Sequence, residues 1–416
     1  MAEVQANFRP IHSEKTLGAM KAERTVKRIT FNPSEANPGN TLNVYVPKLN
    51  ENEVIVPGSL GLLFDIDLAG GHANNFLVQN VTRALVANMA VKFAGTKVQD
   101  TTNYDIYKIW EDLFLSQEER DDMLLEGIQS EDLNKIRSGA GDKKTSGVAA
   151  ENELNKVHGT QYRIRLDHHI LTDHGVFYPK ALYHDLLFVL TLAPANQVVK
   201  GSDPDKLKYK LKNIQLEYEI LVSETLAEEA SSIYTSGNEF LFDHVYLDHA
   251  HTFTKTVDSR INLRVNTQRR SMKGLLLLFV EPYVAGTRDS EKFINPDITK
   301  VNVTVKGSPN KLYNNGIETK DIWPEVDRFF GKKSKTQHMN RKKFYTEDRF
   351  GLLIDLRSMA DQSMHGSGTR LVNTQDGVQL EILRNLKGTG VVNCHVFVIS
   401  DARMDIARLQ LDQLYV

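Results

Sequence analysis

The stretch VKFAGT at residues 91–96 returns as VTVKGS at residues 303–308, and these two copies organise the whole chain. Each copy reads as an alternating strand that ends in a glycine turn, followed by a polar connection and a short helix with an Ile-Trp pair. Both Trp residues of the chain lie in these pairs, separated by close to half of its length. The pattern therefore predicts two copies of one domain in tandem. The positions that define the repeat are Gly95, Ile109, Trp110, Gly307, Ile322 and Trp323.

The two halves stay parallel beyond this pattern. An alternating strand that ends at Asp167 follows the first copy, and one that ends at Asp355 follows the second. Each half then closes with a strongly alternating strand, over residues 214–222 and 392–398. If the halves are copies, their two Trp residues should occupy equivalent places in two superposable domains. The alternative interpretation is two unrelated strand-turn-helix units that both contain Trp.

Length and composition are typical of a soluble globular protein with two domains. The 416 residues suit two domains of about 200 residues, and 41% are apolar and 25% charged. A formal net charge of −2 excludes a nucleic-acid binder that acts through bulk charge. The single cysteine, Cys394, excludes an intrachain disulfide and sits in an alternating apolar strand, which indicates a core residue. We find neither a secretory signal nor a run long enough to span a bilayer.

Short strands punctuated by Gly, Pro and Asn predict an all-β fold of two β-sandwiches. Residues 1–30 are polar and rich in cations, which indicates either an N-terminal arm that reaches a neighbouring subunit or nucleic acid, or an ordinary frayed terminus. The first domain is predicted over residues 31–225, a linker over 226–238 and the second domain over 239–416.

Two loops interrupt the strand pattern. In the long insertion at residues 115–160, Ser116 is predicted to cap a helix whose apolar stripe includes Met123 and Ile128, and the insertion is predicted to be exposed at the rim of the first domain. The second loop is basic. It is interpreted as a solvated charged loop or, alternatively, as a contact with a neighbouring subunit or an anionic partner. Its cations are Lys332, Lys333, Lys335, Arg341, Lys342 and Lys343.

A search for chemistry in the sequence finds no catalytic motif. It contains no nucleophile elbow, no phosphate-binding glycine loop and no cysteine pair for zinc. His249 and His251 would share one face of a strand, as in metal-binding cupin barrels, but the Glu that those barrels place a few residues later is missing. His168, His169 and His174 form a second group in the other half. Surface and interface histidines are the favoured interpretation, so we predict no catalytic, metal or cofactor site.

Three segments resemble a known family: YRIRLDHHILTDHGVFYP at residues 162–179, RRSMKGLLLLFVE at 269–281 and VVNCHVFVISDA at 391–402. They are similar to the double jelly-roll major capsid proteins of Polinton/Maverick elements and adintoviruses, which are related in fold to adenovirus hexon. The resemblance implies an all-β protein of two tandem eight-stranded jelly-roll β-sandwiches, with short helices in the connecting loops.

The same resemblance implies a structural protein and not an enzyme. Three chains would form a homotrimer with a pseudo-hexameric outline, and these capsomers would tile the icosahedral capsid of a dsDNA virion together with penton and minor capsid proteins. The N-terminal arm would lie at the inner face and contact nucleic acid or a membrane. No small-molecule substrate is expected. Two other functions stay open: a two-domain β-sandwich that binds a carbohydrate or a receptor, and a metal-dependent bicupin enzyme.

Overall fold

The computed structural model shows an all-β chain with short helices between the strands, as the sequence predicts. Alternation of apolar residues produces strands with one buried face, as in β2 (Thr41–Tyr45) and β9 (Leu186–Leu192). The structure describes residues 22–68, 75–129, 131–137, 161–167, 179–236, 238–310, 313–331, 337–358, 366–372, 377–408 and 410–416.

The strands of the described chain are β1 Glu23–Thr30, β2 Thr41–Tyr45, β3 Glu53–Ile55, β4 Gly61–Asp67, β5 Phe76–Leu77, β6 Val86–Phe93, β7 Thr96–Thr102, β8 Gln161–Arg165, β9 Leu186–Leu192, β10 Val199–Lys200, β11 Lys210–Val222, β12 Asn238–Thr254, β13 Arg260–Val265, β14 Met272–Val280, β15 Ile298–Val305, β16 Ser308–Pro309, β17 Ile317–Glu318, β18 Gly351–Asp355, β19 Val378–Arg384, β20 Val391–Ala407 and β21 Gln410–Tyr415. The helices are α1 Val81–Ala84, α2 Tyr104–Asp112, α3 Gln117–Asp121, α4 Glu131–Arg137, α5 Ala195–Val198, α6 Glu224–Ser236, α7 Thr319–Phe330 and α8 Arg341–Thr346.

Two sheets, each with a continuous path of four strands, build the first half, which we call roll one; outside these paths β3 pairs with β11, and in the second half β21 pairs with β20 and β17 with β15. The strand orders in roll one are β1-β11-β4-β8 and β2-β9-β6-β7. The second half, roll two, repeats this arrangement strand for strand, with the orders β12-β20-β14-β18 and β13-β19-β15-β16. Neighbouring strands are antiparallel, and the chain passes back and forth between the two sheets of each roll. This is the topology of the eight-stranded jelly roll, and its duplication is confirmed.

The glycine turns of the repeat also have the same geometry in both rolls. Ala94 and Gly95, which join β6 to β7, have φ of 52° and 79°. Lys306 and Gly307, which join β15 to β16, have φ of 52° and 73°. A two-residue hairpin turn whose twist matches that of its strands requires positive φ at both of its central residues. Glycine at the second position meets this requirement without steric cost.

Two segments fold differently from their predictions. The arm predicted over residues 1–30 is shorter, because Glu23–Thr30 forms β1 and pairs with β11; residues 1–21 lie outside the described chain. The segment predicted as a linker over residues 226–238 lies mostly within helix α6. Leu226, Ala230 and Tyr234 of this helix are buried because they recur every four residues along one face. The connection between the rolls is therefore a packed element.

The insertion predicted at residues 115–160 is folded over its described part, 115–129 and 131–137, with an exposed helix α3 and a buried segment at residues 126–129. Ser116 caps α3 as predicted, and a reciprocal hydrogen bond joins the Glu119 carboxylate to the Ser116 backbone N–H. Met123 and Ile128 are buried, but the helix that Ser116 caps ends at Asp121, so both residues lie in the turns after it and the predicted apolar stripe on that helix is wrong. The expectation of an exposed loop is therefore wrong for residues 126–129, whereas α3 is exposed except at Arg120, and residues 138–160 lie outside the described chain.

Two paired strands of roll two, β14 and β18, are buried on both faces. Every residue of β14 and of β18 is buried, whereas buried residues of β8 and β11 in the equivalent sheet of roll one alternate with more exposed ones. One face of the β14 sheet packs on the other sheet of roll two, and its second face is covered by helices. In the part of the chain that the structure describes, every helix is too short or too polar to cross a lipid bilayer.

Candidate functional site

Helix α2 carries the contact between the two rolls, which we call the seam. All its residues except Glu111 are buried, including the charged Asp105, Lys108 and Asp112. A helix on a protein surface keeps one polar face in water. Burial on all sides therefore shows that α2 is enclosed, with roll one on one side and roll two on the other.

Trp110 is fully buried at the centre of the seam. Gly351 of β18 in roll two lies against its indole, and a Cβ atom at this glycine would stand 2.7 Å from the ring. Glycine at this position therefore permits the close approach of helix and strand. The ring makes edge-to-face contacts, the geometry that aromatic quadrupoles favour, with Phe114, Phe293, Phe330 and Phe344, at centroid distances from 5.4 to 6.5 Å.

Trp323 lies on α7, the helix that follows the equivalent strands of roll two. It is half-buried, and its ring packs at 5.2 Å from Phe344. The prediction of equivalent places is therefore correct for the chain topology and wrong for the surroundings, because Trp110 lies between rolls whereas Trp323 packs within roll two. The duplication is established by the strand order and not by the two Trp environments.

Arginines pair with Asp167, two residues after β8, and with Asp355, the last residue of the equivalent strand β18. Asp167 accepts from Arg83 at 2.5 Å, and Arg83 also pairs with Asp112 at the end of α2. Burial alone would raise the pKa of Asp167, but Arg83 and Lys108 lower it well below its ordinary value. Asp355 pairs with Arg357 at 2.7 Å. The first of these networks attaches α2 to roll one.

Two buried ion pairs cross the seam. Arg288 Nη2 of roll two lies 2.7 Å from Asp105 Oδ2 of α2, and Arg120 Nη2 of α3 lies 2.7 Å from Glu291 Oε1 of roll two. The Arg288 guanidinium also donates to the carbonyl oxygen of Gln197. A buried charge that loses its partner is costly, so these pairs fix the relative position of the rolls.

Main-chain hydrogen bonds continue the seam beyond the C-terminal end of α2. The Met339 and His338 N–H groups of roll two donate to the carbonyl oxygens of Leu113 and Leu115, at 3.1 and 2.9 Å. These bonds tie the chain before α8 to the end of α2.

The opposite side of the seam joins two strand edges. Gln99 Nε2 and Thr101 Oγ1 of β7 donate to the carbonyl oxygen of Val245 in β12, at 2.9 and 2.8 Å. Bonds to backbone carbonyls need one defined orientation, so the two rolls meet in a single arrangement.

Three histidines at or beside the seam are held neutral. His395 of β20 lies 3.1 Å from Asn103 Nδ2, and burial lowers its pKa to about 4. Burial, with Arg120 and other cations nearby, lowers the pKa of His338 to about 3. Burial also lowers the pKa of His244 to about 3, with a smaller contribution from Arg269. Protonation of these buried imidazoles at low pH should therefore destabilise the packing around them.

The described part of the basic loop does not form a single patch. Lys332, Lys333 and Lys335 lie outside the described chain. Arg341 and Lys342 are exposed at the start of α8. Lys343 instead turns inward, 3.2 Å from His338 Nδ1, and burial lowers its pKa. A role in contacts with anions or neighbouring subunits stays a prediction for these residues.

The histidines of β12 do not make a metal site with their described neighbours. His249 Nδ1 lies 2.6 Å from Asp248 Oδ2. Among the described residues there is no group of three or more His, Cys, Asp or Glu side chains that could hold a metal ion. The second group, His168, His169 and His174, lies outside the described chain.

Cys394 is fully buried in β20, as predicted from its alternating apolar neighbours, and burial raises its pKa.

The charged residues of the seam could not be found in the sequence. Asp105 and its partner Arg288, like Arg120 and its partner Glu291, lie far apart in the chain, and Arg120, Arg288 and Glu291 stand among polar residues typical of a loop or an exposed helix face. The one available signal is the density of aromatic and aliphatic residues in YDIYKIWEDLF, residues 104–114, which exceeds what one buried helix face needs.

Two tandem eight-stranded rolls, joined through a buried seam, define a double jelly-roll fold. No protein-family model matches the sequence, and no curated protein matches it either. Solved structures of major capsid proteins share the fold. PBCV-1 VP54, fitted into a cryo-EM reconstruction of the virophage Sputnik, matches with a TM-score of 0.62 and 11% identity, over 96% of this chain and 98% of that chain.

Two further capsid structures match over almost the full length. The Faustovirus major capsid protein has a TM-score of 0.56 and 7% identity, over 98% of this chain and 94% of that chain. The mavirus major capsid protein has a TM-score of 0.52 and 9% identity, over 94% of this chain and 90% of that chain. The fold that the sequence resemblance implied is thereby confirmed, and the Polinton and adintovirus subgroup stays a prediction.

Proposed function

We propose that this chain is a major capsid protein whose function is to build a virion shell. The seam is the observation that carries the proposal. It joins two jelly rolls through buried ion pairs and an aromatic cluster, so that the chain is one rigid block with two similar outlines. Such a block suits assembly, because similar surfaces can be used twice around a symmetric ring.

In this proposal three chains form a homotrimer with six rolls and a pseudo-hexameric outline, and the trimers tile an icosahedral shell. The chain would act through interfaces and not through turnover. Its partners would be copies of itself, neighbouring capsomers, and penton or minor capsid proteins. Residues 1–21, which precede β1, would serve as the arm toward the shell interior. We place roll one over about residues 23–223 and roll two from about residue 238, with α6 between them.

Electron microscopy of the purified full chain tests this function. We expect triangular or hexagonal particles that associate into curved sheets or closed shells as the protein concentration rises. Particles that stay single chains at every concentration would contradict the capsid function. Binding of such single chains to a glycan array would favour the carbohydrate-binding alternative instead.

A further inference from the structure

The seam brings together the outer edges of two sheets that are not equivalent in the two rolls. β7 is the end strand of the sheet β2-β9-β6-β7 in roll one, and β12 is the end strand of the sheet β12-β20-β14-β18 in roll two. The two strands contact each other through Gln99 and Thr101, which are almost fully buried, and the carbonyl oxygen of Val245. β7 and β12 thus cover each other's outer edges, which would otherwise face water.

Among the described residues, no strand or helix covers the counterparts of these two edges. β1 holds in roll one the place that β12 holds in roll two, and its eight residues are all exposed or half-buried. Val26 and Ile29 of β1 are 54% and 46% exposed. β16 holds in roll two the place that β7 holds in roll one, and both of its residues are exposed. An exposed edge strand with apolar side chains is a template for association.

We infer that β1 of one chain packs against the β16 edge of a second copy, and so repeats between chains the contact that β12 and β7 make within one chain. The inference rests on the proposed function and names the surfaces that close the trimer. The occupant is a copy of this chain because the same fold presents both edges. A contact between two different patches is heterologous, and it closes into a ring when its rotation divides a full turn.

The contact between chains is smaller and more polar than the seam. β16 has two residues where β7 has seven. When the two Trp residues are aligned, Tyr107 of α2 and Phe114 just after it correspond to Lys320 and Asp327 of α7, which are exposed. Polar interfaces of limited size are typical of partners that fold separately and then associate. The chain therefore completes its fold before it meets another copy.

Cysteine cross-linking tests this inference, because the chain has one native cysteine and it is fully buried. The double variant Val26→Cys, Ser308→Cys of the full chain is treated with a short bis-maleimide, and its mass is measured by light scattering before treatment. We expect covalent products of two and three chains, and a loss of these products in either single variant. The control pair is Val257→Cys with Ser308→Cys, since Val257 is 71% exposed in the turn after β12.

A charge at the same edge provides a second readout. Val26→Asp should remove the trimer at concentrations at which the unmodified chain is trimeric, whereas Val257→Asp should leave it unchanged. Trimers that form without cross-links between positions 26 and 308, or that tolerate Val26→Asp, would overturn this inference and leave the proposed function intact. An unmodified chain that stays monomeric would overturn both.

Discussion

Trp110 shows how one side chain can join two domains. It belongs to roll one by sequence, but its ring is packed by Phe293 and Gly351 of roll two. A side chain at position 351 would overlap the indole, since its Cβ would stand 2.7 Å from the ring. Complementarity of this kind contributes the last few kcal/mol of stability and a single arrangement.

The fit between Trp110 and Gly351 can be measured with a double-mutant cycle. Gly351→Ala should destabilise the chain by about 1–3 kcal/mol, because the new methyl group overpacks the seam. The indole atoms that it would contact are missing from phenylalanine, so Trp110→Phe should recover part of this loss in the double variant. Denaturant unfolding of the four proteins gives the coupling. Strictly additive effects would show that ring and glycine do not constrain each other.

His395 makes the seam sensitive to acid. Its pKa is about 4 in the folded chain and about 6.5 when unfolded, so between these values the unfolded chain binds the proton and stability falls as the pH falls. His395→Gln should reduce the loss of unfolding free energy between pH 6.5 and pH 4 by up to about 3 kcal/mol. Denaturant titrations at both pH values measure it. The control is His184→Gln, at an exposed histidine; equal losses in both variants would contradict the assignment.

At the scale of elements, α2 is stabilised by partners that its own sequence does not indicate. The alternating strands could be predicted because burial of one sheet face imposes period two. β1 could not, because it is an end strand whose two faces are both largely exposed. α6 was missed although Leu226, Ala230 and Tyr234 recur every four residues, because the acidic and serine residues between them are typical of a linker.

The ion pair between Asp105 and Arg288 should stabilise the seam only as a pair. Arg288→Met alone leaves a buried carboxylate and should cost about 3–5 kcal/mol. Replacing both residues, as Asp105→Leu with Arg288→Met, should cost clearly less than the sum of the two single changes. Thermal unfolding measures all three variants. The control is Arg328→Met, which removes a half-exposed arginine from Glu325 and leaves that carboxylate its hydrogen bond from Tyr313, so it should cost at most about 1 kcal/mol. A double variant as damaged as the sum would contradict this account.

At the scale of the whole molecule, the two rolls share their cores. Phe240, Phe242 and Met404 of roll two pack into the apolar core of roll one, and Trp110 of roll one packs into the core of roll two. Two domains joined by a mobile linker would unfold independently. The shared cores favour one cooperative unit in spite of the duplication.

Calorimetry tests this cooperativity. We expect one unfolding transition whose calorimetric and van't Hoff enthalpies agree, because neither roll can unfold without exposing part of the apolar core of the other roll to water. Arg288→Met should lower the midpoint of that transition. Two separated transitions in the unmodified chain would show that the rolls are independent domains and that the seam contributes little.

The solution mass of the full chain tests the central claim, assembly through copies of itself, most directly. One chain has a mass of 47.1 kDa. Size-exclusion chromatography with light scattering should give a peak at three times this mass, with larger species as the concentration rises. A peak that stays at 47.1 kDa at every concentration would contradict the assembly of this chain into trimeric capsomers.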